Sequence, residues 1–176
     1  MTAVKDEQWK RWRSLVSSTT IELFGHYGVE LRDDTHWTPV LAEGEHVAGS
    51  MYFGGDQLCG GLTVCAPRAL LGTANPVLPD RMIPLADFAR ELANEILGGM
   101  QSKLACYGVD LSYAITDPVG SSPTAELGVD ARTLVLRSPG GEVAIMFTVA
   151  SNVDLPVKSE DPPRQRSMAP GEVLFL

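Results

Sequence analysis

Glu91 and Asn94, one helical turn apart with Gly98 a further turn on, are the clearest chemical feature of this 176-residue sequence. With Leu92 set at zero and about 100° per residue, they share one polar arc with Asp87, Arg90, Glu95, Gln101 and Ser102. Asp87, Glu91 and Glu95 form an i, i+4 row of like charges, which costs about 0.2–0.5 kcal/mol per pair. Gly98 and Gly99 each cost about 1 kcal/mol relative to alanine in a helix interior. A sequence that tolerates both costs presents an acidic strip beside a place without side chains, where a second backbone can come close. Such a surface suits docking of a basic partner, with Asp87, Glu91, Glu95, Gly98 and Gln101 as contact residues. An ordinary solvated helix face, with Gly99 admitting a packed neighbour, uses the same residues.

Other chemistries find little footing. The sequence has no Gly-x-Ser-x-Gly, no P-loop and no plausible Ser/His/Asp order, so small-molecule hydrolysis has no machinery. His26, His36 and His46 fall ten apart, which is neither a helical pair nor a zinc-site spacing. Cys59, Cys65 and Cys106 lack Cys-x-x-Cys spacing and read as buried thiols of a reducing compartment. Fourteen basic against 22 acidic residues leave a formal charge of −8, which opposes nucleic acid and favours basic protein surfaces. The longest stretches without a charge are eleven residues, short of the ~18 needed to span a membrane. Six charges among the first thirteen residues argue against a secretory signal, so a cytoplasmic location without membrane partners is expected.

The strip must sit on a helix that begins near Pro84 and stops at Gly108. Its opposite arc gathers Leu85, Phe88, Ala89, Leu92, Ala93, Ile96, Leu97, Met100 and Leu104, a face built to pack. Lys103 points nearly inward, so it either snorkels past the core edge or lies where the helix loosens. An internal echo supplies the rest. Tyr27-Gly28-Val29-Glu30-Leu31 returns eighty residues later as Tyr107-Gly108-Val109-Asp110-Leu111, and the same shift lays Trp9, Trp12, Val16 and Phe24 on Ala89, Leu92, Ile96 and Leu104. Each half then runs through strand-like stretches around a Gly-Gly pair: Val47 to Phe53 and Leu58 to Val64, then Thr133 to Arg137 and Val143 to Val149.

Helix, strand, hairpin, twice over, predicts an α+β two-layer sandwich: about six mostly antiparallel strands with two long helices on one face. A short helix from Arg68 to Ala74 connects the halves. One domain is expected over residues 1–153, followed by a flexible tail over residues 154–176 that Pro162-Pro163 keeps out of regular structure.

Glu91-Leu92-Ala93-Asn94-Glu95-Ile96-Leu97-Gly98, followed by Lys103-Leu104, resembles the signature helix of the CheX/CheC/FliY chemotaxis phosphatases, most closely CheX-like domains. The resemblance extends to Val47 through Asp56 and covers roughly residues 5 to 150. It implies the same two-layer fold and a hydrolase activity, with a phosphorylated CheY-like receiver domain of a two-component or chemotaxis pathway as substrate. In the family, the acid at Glu91 pairs with a receiver lysine and the amide at Asn94 positions the attacking water. No cofactor of its own is implied, since Mg²⁺ is expected on the receiver. CheC-type members carry a second Glu-x-x-Asn on the first helix, where the eighty-residue shift puts Arg11 and Ser14, so one site remains. Glu95, Gly99 and Met100 depart from the family, which often has an apolar residue, Asn and Ala there. The resemblance also implies homodimers joined through sheet edges. A CheX-like module that binds or dimerises without hydrolysis is the alternative reading of the same residues.

Overall fold

Both long helices end in the same cap. A computed structural model of the chain describes residues 6–33, 45–54, 58–75, 83–109, 111, 131–151 and 155. Helix α1 runs Asp6–His26 and helix α3 Leu85–Ala105, with the short α2, Arg68–Ala74, between them. After α1, Gly28 takes φ +74 and Val29 N–H donates to the Phe24 carbonyl (2.9 Å) while Gly28 N–H donates to that of Gly25 (3.1 Å). After α3, Gly108 takes φ +70, Val109 N–H reaches Leu104 (3.2 Å) and Gly108 N–H reaches Ala105 (3.0 Å). These are two Schellman motifs, each closed by glycine because only glycine enters the left-handed region without strain. Their positions differ by eighty, so the echo in the sequence is a repeated piece of structure.

The strands are β1, His46–Phe53; β2, Leu58–Pro67; β3, Ala131–Ser138; and β4, Gly141–Ser151. They pair antiparallel throughout in the order β1-β2-β4-β3. The two hairpins also correspond: Phe53 faces Gly60 in the first and Leu136 faces Val143 in the second, 83 positions on (136 − 53 and 143 − 60). The second half therefore holds three more residues between helix and hairpin than the first.

Alternation along the strands puts Gly49, Val64 and Ile145 in one cross-strand row, and Met51, Leu62 and Phe147 in the next, all on one face. Both helices cover that face. Trp9 and Trp12 of α1 pack on the Phe147 ring, with centroids 6.2 and 5.5 Å away, and Phe53 stacks on it from β1. Helix α3 lies directly over Gly49, where a Cβ would stand 2.1 Å from Arg90 N and 2.4 Å from the Ala89 carbonyl carbon. Trp9, Trp12, Phe88, Leu92, Ile96 and Phe147 belong to one continuous buried core. On the other face Cys65, Ala144 and Val135 form a smaller buried row.

The expected two-layer α+β sandwich is therefore present, with α2 and both hairpins where the sequence puts them. The strand number is not. Among the described residues the sheet has four strands where about six were expected. Among the described residues after α1, up to Asp33, there is an isolated bridge, Arg32 with Arg137. Just past the bridge, Asp33 accepts from Arg13 and from Ser17 Oγ (2.6 Å), both on α1. After α3, Val109 and Leu111 are buried but lie in no strand. Of the expected tail only Leu155 is described. It is buried, and its N–H donates to Gln8 Oε1 (2.8 Å) while its carbonyl accepts from Arg11.

Candidate functional site on helix α3

Helix α3 starts at Pro84, whose fixed φ suits the position before the first turn, and its inner face is filled by Phe88, Ala89, Leu92, Ala93, Ile96, Leu97, Met100 and Leu104. That packing fixes the rotation of the helix, and so which residues face out. Glu91 is exposed and Asn94 half-buried. Glu91 makes no hydrogen bond or ion pair with any described residue, and the Asn94 amide makes none either.

The other two carboxylates of the row are engaged. Asp87 is exposed and paired with Arg90 one turn on, at 3.0 Å. Glu95 is half-buried and receives the Tyr27 hydroxyl on both oxygens, at 3.0 and 3.2 Å. The Tyr27 ring stands edge-on to Phe88, 5.4 Å between centroids. Burial of the phenol, then the Glu95 hydrogen bond and charge, then the charge of Glu91, push its pKa up to about 12. Tyr27 is therefore a donor at every ordinary pH, and Glu91 lies close enough for its charge to be felt there.

Of the contact residues expected from sequence, Gly98 and Gln101 are half-buried on the same helix, and the Gly98 carbonyl accepts from Ser102 Oγ at 3.0 Å. Glu95 turns toward α1. Gly99 serves α1 as well: a Cβ there would come within 2.6 Å of Thr19 Cγ2, so the two helices cross closely at this point. A longer side chain at position 99 would strike Thr19. Lys103 does snorkel, reaching Ser18 Oγ at 3.2 Å and Glu22 at 2.8 Å. Cys65 is buried, and burial pushes its thiol pKa up, but Cys106, expected inside, is exposed on the turn after α3. Among the described residues no group of three His, Cys, Asp or Glu is arranged to hold a metal ion.

Tyr27 is the residue the sequence did not reveal. Its Tyr-Gly-Val context stood out, but nothing in that string says that its hydroxyl meets a carboxylate 68 positions away. The hint lay at Glu95, an acid at a position the family often fills with an apolar residue, because a half-buried carboxylate needs a donor.

A sandwich of two repeated helix-and-hairpin halves, with an open Glu and Asn on the outer face of the second long helix, defines a recognisable class. The fold is that of the chemotaxis CheC-like and CheX proteins. A CheC-like protein from Shewanella sp. PV-4 superimposes with a TM-score of 0.57 at 16% identity, covering 78% of this chain and 96% of its own. CheX from Vibrio vulnificus gives 0.52 at 16%, covering 78% and 95%. CheX from Desulfovibrio desulfuricans gives 0.54 at 13%, covering 78% and 97%. No protein-family model and no curated protein matches the sequence.

Proposed function

We propose that this domain accelerates loss of phosphate from the phosphoaspartate of a CheY-like receiver domain, with Asn94 positioning the attacking water and Glu91 docking a receiver lysine. The observation that carries the proposal is the division within the acidic row. Asp87 and Glu95 are tied to Arg90 and Tyr27, while Glu91 and Asn94 are left open together. The fold shared with proteins named CheX and CheC-like supports the same reading.

The chemistry asks little of such a pair. Water attacks the phosphorus in line, the bond from phosphorus to the aspartyl oxygen breaks, and inorganic phosphate and free aspartate result. Phosphoryl transfer passes through a loose transition state, so orienting the water matters more than a strong base. An amide both donates to and accepts from water, which is what orientation requires. A carboxylate desolvated on docking against an ammonium sets the register of the two proteins. Mg²⁺ belongs to the receiver in this scheme.

The test uses one cognate phosphorylated receiver with Mg²⁺ present throughout. Asn94→Ala is expected to lower the maximal rate about a hundredfold while binding persists, because the amide makes no hydrogen bond with a described residue. Glu91→Ala is expected to weaken binding by about 2–5 kcal/mol, and Glu91→Lys by more. A wild-type domain that binds the receiver but leaves its phosphate lifetime unchanged, or an Asn94→Ala variant of full activity, refutes hydrolysis in favour of a binding module.

A further inference from the structure

Tyr27 comes from the end of the first half, yet its hydroxyl occupies both oxygens of Glu95, the residue next to Asn94. The local structure around it does not need a tyrosine hydroxyl. The cap after α1 is held by backbone hydrogen bonds, and the equivalent Tyr107 after α3 has the same cap with its side chain 44% exposed. The Tyr27 ring is placed by Phe88, and the phenol then meets a carboxylate that has no other partner among the described residues.

A free carboxylate beside Asn94 would be a hindrance in the reaction proposed above. The incoming phosphoryl group is anionic, its charge spreads over equatorial oxygens at the transition state, and a nearby carboxylate repels it or competes for the water. Asp87 is neutralised by Arg90, and Glu91 is set against a receiver cation. Glu95 is the one acid of the row whose charge would serve neither purpose.

We propose that Tyr27 is a positioning residue for the dephosphorylation site, holding the Glu95 carboxylate in the seam between α1 and α3 and clear of the water and phosphoryl group that Asn94 handles. The inference rests on the dephosphorylation reading and adds to it a residue from the other half of the domain. It acts through Glu95, so its effect depends on the charge at that position. Replacing tyrosine by phenylalanine keeps the ring on Phe88 and removes only the donor.

The experiment measures receiver dephosphorylation against domain concentration for the wild type, Tyr27→Phe, Glu95→Gln and the double variant, with Asn94→Ala as a control and thermal unfolding of each. Tyr27→Phe is expected to lower the maximal rate about tenfold with little change in the concentration for half-maximal effect. In the Glu95→Gln background the same substitution is expected to have no effect, because a neutral amide released from the seam repels nothing. A Tyr27→Phe variant as fast as the wild type overturns the inference. So does one equally slowed in both backgrounds, which would mean that Tyr27 acts on the fold or on the reaction directly. If Asn94→Ala is inactive in either case, the dephosphorylation reading survives. If the wild type itself is inactive, both fall together.

Discussion

Replacing Gly49 by alanine tests whether α3 is held where its polar face can work. A Cβ at this position would sit 2.1 Å from Arg90 N, 2.4 Å from the Ala89 carbonyl carbon and 2.6 Å from Arg90 Cα. All three are backbone atoms of the helix, so no side chain can swing aside. Restoring an ordinary contact of about 3.5 Å demands a separation of roughly 1.4 Å between β1 and α3 at this point. A gap of that size forfeits a large share of the dispersion contacts along the seam, which Phe88, Ala89 and Leu92 fill. Overpacking usually costs about 1–3 kcal/mol, and a clash with backbone on both sides belongs at the upper end, so we expect about 3 kcal/mol. Arg90 immediately precedes Glu91, so the displaced backbone carries the site with it, and a shift near 1 Å is enough to cost about a hundredfold in rate. Equilibrium urea unfolding at unchanged m-value reads the first effect and receiver dephosphorylation the second. Gly72→Ala in α2 is the control, because nothing lies within 4 Å of its added Cβ, and helix propensity should stabilise it by up to about 1 kcal/mol. A Gly49→Ala variant within about 1 kcal/mol of the wild type would show that the helix is free to ride on the sheet, and the reasoning would fail.

Gly99→Ala should destabilise by about 1–2 kcal/mol because its methyl meets Thr19 Cγ2 at 2.6 Å, and Thr19→Ser should recover most of that loss by removing the methyl it strikes; urea unfolding of the single and double variants that shows no recovery refutes the contact. The Tyr27 pKa is raised from 10.0 to about 12 in the folded protein, so its contribution to stability is complete below pH 10 and disappears as pH rises through 12; unfolding midpoints across this range should fall more for the wild type than for Tyr27→Phe, and parallel curves would contradict the shift.

The sequence was most informative where local chemistry decides structure. Pro84 and Gly108 bracket α3, the apolar arc from Leu85 to Leu104 gives its rotation, and the Gly-Gly pairs locate both hairpins, because each signal acts within a few residues. The open placement of Glu91 follows from the same arc. Contacts between distant segments were hidden. Nothing near Gly49 announces that a helix backbone crosses it, and Gly99 reads as admitting a packed neighbour without saying that the neighbour is Thr19. The stretch after α1 reads as β in its alternation, but nothing in that pattern says that Asp33 accepts from Arg13 and Ser17 of the helix. Tyr27 and Tyr107 are indistinguishable as strings, and only the partner across the seam separates a half-buried donor from an exposed ring.

The clasp on Leu155 makes the division of labour between the halves hard to reverse. Arg11 stands where the repeat would put a second Glu91, and its guanidinium holds the Leu155 carbonyl while Gln8 takes the N–H. Writing Glu and Asn into positions 11 and 14 would copy the motif but would also place a carboxylate against a carbonyl left with only the long donation from Gln8 Nε2, at 3.5 Å. A designer seeking a two-site version of this scaffold must first find the chain leaving β4 another exit. The outer face of α1 that a second partner would need is spent on holding Leu155.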